Sequence, residues 1–61
     1  MKKILILGGG ISKERKISLE TAKQVNKVLK SGFKTAICEP NNDLFKKIKT
    51  FKPDLIFNAL H

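Results

Sequence analysis

Glu14 lies in a short stretch, Gly8-Gly9-Gly10-Ile11-Ser12-Lys13-Glu14-Arg15-Lys16-Ile17-Ser18, together with two hydroxyls and three basic side chains. A carboxylate flanked by oriented polar groups can hold an ammonium ion that has left water, because charge-assisted hydrogen bonds replace its hydration. Glycines ahead of a helix can instead let backbone approach a phosphate. The stretch is a candidate site for either chemistry. It follows the apolar run Ile4-Leu5-Ile6-Leu7 and precedes an amphipathic segment that opens at Ser18. Strand-to-helix connections usually take ~2–6 residues and longer ones tend to carry function; this one is expected to run from Gly8 to Ile17.

The elements that must position the loop follow from periodicity. Lys2–Leu7 is continuously apolar after its lysines, as in a strand buried on both faces. Ser18 is the expected N-cap of a helix, with Glu20 in its first turn, an apolar stripe of Leu19, Ala22, Val25, Val28 and Leu29, and a stop at Ser31-Gly32. Phe33–Cys38 reads as a second strand. Asn41 and Asn42 are N-cap candidates for a second helix, with Asp43 in its first turn and Leu44, Phe45, Ile48 and Phe51 on its apolar side. Pro53 ends that helix, and Leu55–Leu60 is a third strand. The phenylalanines Phe45, Phe51 and Phe57 are expected in the core, and Cys38 as a small buried apolar residue.

The expected fold class is therefore α/β: a βαβαβ half of a doubly wound, Rossmann-like parallel sheet with strand order 2-1-3. Its switch point lies between strands one and three, where the glycine loop and His61 emerge. Open α/β sheets bind their ligands in that crevice. Strand three is almost wholly apolar yet would be an edge, and edges are normally short, charged or covered. The domain is thus expected to be incomplete, the N-terminal part of something longer.

Sixty-one residues with 41% hydrophobic content fit one small globular domain. A chain of this size buries only ~60% of its unfolded surface. The single cysteine excludes an internal disulfide, and there is no Cys/His zinc pattern. Four consecutive apolar residues after Met1-Lys2-Lys3 are too few for a signal peptide or a membrane span, so a cytoplasmic protein without membrane association is expected. The net charge of +8 invites a nucleic-acid reading. The lysines, however, are spread over the outer faces of both helices, there is no Tyr or Trp to stack bases, and Arg15 is the sole arginine. A solvated lysine surface accounts for the charge better, and no nucleic-acid partner is expected.

Among loop chemistries, a dinucleotide fingerprint would use Gly8 and Gly10 with Glu39 as the ribose acid, but its third glycine would fall on Lys13. It is retained as the alternative, a nucleotide-binding module. No spacing supplies a Walker-type loop. The third reading is a small-molecule ammonium site built by Glu14. Taken alone, Glu14 reads sooner as a solvated carboxylate paired with Lys13 or Arg15 than as a ligand, and a lone histidine after a strand sooner as structural or exposed than as functional.

Two segments carry a family resemblance. Gly9-Gly10-Ile11-Ser12-Lys13-Glu14-Arg15-Lys16-Ile17-Ser18-Leu19 resembles the G-G-x-S-x-E-(R/H)-x-(V/I)-S-(L/V) signature of D-alanine–D-alanine ligases. Pro53-Asp54-Leu55-Ile56-Phe57-Asn58-Ala59-Leu60-His61 resembles the same family's P-D-x-(V/I)-F-N-(A/L)-L-H segment. Gly8, Ile11 and Lys16 depart from the commoner residues at their positions.

The resemblance implies an ATP-grasp ligase of peptidoglycan synthesis. Residues 1–61 would be part of its N-terminal substrate-binding domain, with the central and C-terminal domains absent. In that family ATP phosphorylates one D-alanine carboxylate and a second D-alanine amine attacks the acyl phosphate. ATP and magnesium (or manganese) belong to the absent domains, so no cofactor or metal is expected here and the fragment alone should be inactive. By the same resemblance, Glu14 is the catalytic and substrate-binding carboxylate that holds the first D-alanine's ammonium group. His61 lines that pocket, Ser18 helps to fix the loop, and Gly9, Gly10 and Ser12 form it. The implied partners are D-alanine, the missing domains and a second copy in a homodimer.

Overall fold

Ile4, Leu5 and Ile6 point alternately to the two faces of one strand, yet they are only 6%, 0% and 0% exposed. Such a strand needs cover on both faces and neighbours on both edges. The computed structural model describes residues 1–11 and 13–60 and supplies both. The elements run β1 (Lys3–Leu7), α1 (Arg15–Leu29), β2 (Lys34–Cys38), α2 (Leu44–Phe51) and β3 (Leu55–Asn58). All strands are parallel, in the order β2-β1-β3. This is the incomplete βαβαβ unit that the periodicity predicts. Leu7 is level with Cys38 on one side and Asn58 on the other, so the three C-terminal strand ends form one rim.

Helix α1 covers the face of β1 that carries Ile4 and Ile6. Those two pack with Ala22 and Ala59, and Val25, Leu29, Phe33 and Ile37 extend the cluster. Helix α2 lies on the opposite face: Lys3, which shares its face of β1 with Leu5, holds its Nζ 5.8 Å from the centre of the Phe51 ring. At the opposite rim from the strand ends, Asp54 ties β3 to β1. Its carboxylate accepts the Lys3 N–H at 2.7 Å while its own N–H donates to the Lys3 carbonyl at 2.8 Å.

Several local expectations are corrected. Helix α1 opens at Arg15 rather than Ser18, with Glu14 at the N-cap position and no side-chain cap bond. Ser18 is not the cap, because its hydroxyl is drawn into tertiary bonds and its N–H makes a helical bond to the Glu14 carbonyl at 2.9 Å. Glu20 consequently lies beyond the first turn. The connection shrinks to Gly8–Glu14. In α2 the N-cap position is Asp43, and Asn41 instead accepts the Asp43 N–H at 2.9 Å in the turn before it. That helix ends at Lys52, whose φ of 53° is left-handed.

Phe45 and Phe57 are not core residues: they are 77% and 44% exposed, and of the three phenylalanines only Phe51 is half-buried. Val28 on α1 is likewise exposed. Cys38 is half-buried, with its Sγ donating to the Glu39 carbonyl at 3.3 Å. β3 stops at Asn58 and is exposed throughout. Val28, Leu55 and Phe57, with Val25, Leu29 and Phe33, line an apolar groove of about 560 Å³ between α1 and β3. The described residues form no third helix to lay over the outer strand, and those apolar side chains meet solvent.

Candidate functional site

The three glycines after β1 meet three different demands. Gly8 is buried beneath α1: a Cβ there would stand 2.6 Å from the Ala22 Cβ. Gly9 and Gly10 adopt φ of +89° and +96°, a region that L side chains rarely occupy. A Cβ on Gly9 would also come 2.8 Å from the Glu39 Cδ. At Gly10 the loops after all three strands gather, since a Cβ there would be 3.7 Å from Pro40 and 4.0 Å from Leu60.

Each glycine N–H has a partner within the fold. Gly8 donates to the Cys38 carbonyl at 3.1 Å, Gly9 to the Ser18 hydroxyl at 2.9 Å, and Gly10 to Glu39 Oε1 at 3.2 Å. Ser18, only 1% exposed, passes the chain of bonds on by donating to the Ala59 carbonyl at 2.8 Å. One buried hydroxyl thus joins the ends of β1 and β3 across the start of α1. Bonded in both directions, it has its desolvation cost offset.

Glu39 is the second organiser, and sequence reasoning missed it in this role. Its carboxylate accepts Arg15 Nε at 2.8 Å and Arg15 Nη2 at 2.9 Å in a two-pronged bond, besides the Gly10 N–H. The Arg15 hydrogen bonds are the main reason its carboxyl lies below the usual carboxylate range, with the Gly10 N–H adding to them. The same bonds and the facing charge raise the Arg15 guanidinium. Two opposite charges, one at the start of α1 and one just past β2, were the available signal, but nothing in their spacing marked them as a pair.

The expected site residues fall out as follows. Glu14 is exposed at the N-cap position of α1. Its carbonyl accepts the Ser18 N–H, the Ser18 hydroxyl accepts the Gly9 N–H, and Gly10 is held by Glu39. Ser12 and His61 lie outside the described residues. The pairing of Glu14 with Arg15 that charge alone suggested gives way to the Arg15–Glu39 pair.

The dinucleotide alternative through Gly8, Gly10 and Glu39 is not favoured. Helix α1 does start nearer the glycines than expected, but Gly8 and Gly10 spend their N–H groups internally. Glu39 is held by Arg15 and Gly10 and does not extend toward a ribose. A phosphate cradle needs unspent amides. Among the described residues no group of three or more His, Cys, Asp or Glu side chains could hold a metal ion, and no helix is long and apolar enough to cross a membrane.

No family model matches the chain. It is 66% identical over 61 residues to a D-alanine–D-alanine ligase of Pelagibacter ubique, a match that covers 98% of this chain and 20% of that protein. A D-alanine–D-alanine ligase of Zymomonas mobilis is 39% identical over 61 residues, covering 98% of this chain and 19% of the relative. One from Wolbachia of Brugia malayi is 49% identical over 59 residues, covering 95% and 17%. The chain therefore spans about a fifth of the length of the curated relatives it matches. Over nearly its whole length it is homologous to the N-terminal fifth of proteins named D-alanine–D-alanine ligase.

Proposed function

We propose that these 61 residues form part of the N-terminal substrate-binding domain of a cytoplasmic D-alanine–D-alanine ligase, which joins two D-alanines with ATP for peptidoglycan. Glu14 holds the ammonium group of the first D-alanine. Ser18 fixes the loop that carries it, Gly9, Gly10 and Ser12 shape that loop, and His61 lines the same pocket. By the family resemblance, ATP and magnesium belong to the central and C-terminal domains of the intact enzyme.

The observation that carries this reading is the internal satisfaction of the glycine amides, in a chain two-thirds identical to a protein named as such a ligase. With its glycine amides spent, the loop offers a ligand side chains, and the carboxylate among them, Glu14, suits a cation. Holding an ammonium at a fixed point orients the rest of a small amino acid, and orientation is a large part of catalysis.

The test is a chimera in which these residues replace the matching fifth of the Pelagibacter ubique ligase. Expected is D-alanyl-D-alanine formation from D-alanine and ATP, read by mass spectrometry. A folded chimera that binds ATP but makes no dipeptide would overturn the reading.

A further inference from the structure

We infer that Glu39 and Arg15 are positioning residues for the substrate-binding carboxylate: a single clamp that pins both ends of the arc carrying Glu14. The inference rests on the ligase reading for what Glu14 binds, but not for the clamp itself.

One carboxylate gathers three donors from two segments of chain. Glu39, just past β2, accepts the Gly10 N–H at one end of the arc and the Arg15 guanidinium at the other. Only residues 11–14 lie between those anchors, and Glu14 is adjacent to Arg15. The helix that Arg15 opens is itself fixed to Gly9 and Ala59 through Ser18. Glu14 is therefore delivered by a short arc with both ends tied to the rim of the sheet, one of them by the planar fork of an arginine. A lysine supplies the charge without that two-pronged geometry. Gly9 completes the device, since a side chain there would press on the Glu39 carboxylate.

Loosening the clamp removes no group that touches substrate but lets Glu14 wander. A misplacement of about 1 Å at a reacting or binding group can cost on the order of a hundredfold. The test compares Arg15→Lys and Glu39→Gln, both conservative enough to keep the fold, in the chimera. Expected is a rise of roughly ten- to a hundredfold in KM for the first D-alanine with KM for ATP unchanged, together with faster hydrogen exchange at Gly10. Unchanged D-alanine KM with unchanged exchange would overturn the clamp. So would equal rises in both KM values with a general loss of exchange protection, the mark of a merely structural pair. If the unsubstituted chimera makes no dipeptide, the ligase reading fails. The clamp is then judged by exchange alone: Gly10 must lose protection in Glu39→Gln while the core strand β1 keeps it.

Discussion

The Ser18 hydroxyl donates to the Ala59 carbonyl at 2.8 Å, tying the start of α1 to the residue just past β3. Because the same oxygen accepts the Gly9 N–H, the position of the glycine loop is read against the far strand and not only against its own. A loop on a strand end is only as well placed as the bonds that hold it to neighbouring strands. Ser18 supplies such a bond from inside the core.

Ser18→Ala is expected to leave both the Gly9 N–H and the Ala59 carbonyl without this partner in a buried site. A buried polar group left unpaired costs ~1–3 kcal/mol. Urea unfolding of the chimera should show that loss. An unchanged midpoint would mean that the loop re-pairs and that the hydroxyl is dispensable.

Gly8→Ala should destabilise by overpacking, since its Cβ would lie 2.6 Å from that of Ala22 on a packed helix. Inserting a methyl into a filled interior typically costs ~1–3 kcal/mol. The double variant Gly8→Ala/Ala22→Gly should recover part of it, less the ~0.5–1 kcal/mol that a helical glycine costs. Strict additivity of the two losses would place the strain elsewhere.

Glu14→Gln preserves shape and one acceptor while removing the charge proposed to face the substrate ammonium. A charge-assisted hydrogen bond lost from a binding site should lower kcat/KM for the first D-alanine roughly ten- to a hundredfold. ATP affinity should hardly change. Glu20→Gln, on the exposed side of α1 beyond its first turn, is the control and should match the unsubstituted chimera. Two indistinguishable variants would make Glu14 a surface carboxylate.

The Arg15–Glu39 pair has a defined pH window. Glu39 titrates below its ordinary value of 4.5 because the native state holds its ionised form. A depressed carboxyl contributes stability that is fully present above the unfolded value and is lost as pH falls through the folded one. Glu39→Gln should therefore be less stable than the unsubstituted chimera near pH 7, and the two melting curves should converge in acid, below pH 4.5. A difference that persists there would owe to packing, not charge.

The isolated 61-residue chain should not unfold cooperatively as a monomer. Val28, Phe45, Leu55, Ile56 and Phe57 are all exposed, as is the whole of β3. Ordering a residue costs ~1–2 kcal/mol of backbone entropy, and this sheet buries too little to offset it. Dye binding to apolar surface and a broad melt are expected. A sharp, concentration-independent transition would contradict this.

What the sequence determined by itself is everything with a short repeat or a local stereochemical need. Ile4-Leu5-Ile6-Leu7 could be read as a strand buried on both faces because its whole run is apolar. The two helices followed from spacing, and the strand order from the handedness of crossovers. The glycines announced a loop, since only they take the backbone angles found at Gly9 and Gly10. Tertiary structure alone decided where side chains spend their bonds. Ser18 had the chemistry of a cap and became a buried link, because a partner at Ala59 satisfied it better than its own helix end. Arg15 had an acidic neighbour at Glu14 and paired instead with Glu39, which the parallel β1–β2 register carries to the same rim. Phe45 and Phe57 look like core in any apolar pattern, yet burial depends on what lies opposite, and no periodicity records that. Local pattern fixes which surfaces exist, and only the assembled sheet brings distant donors and acceptors within bonding distance.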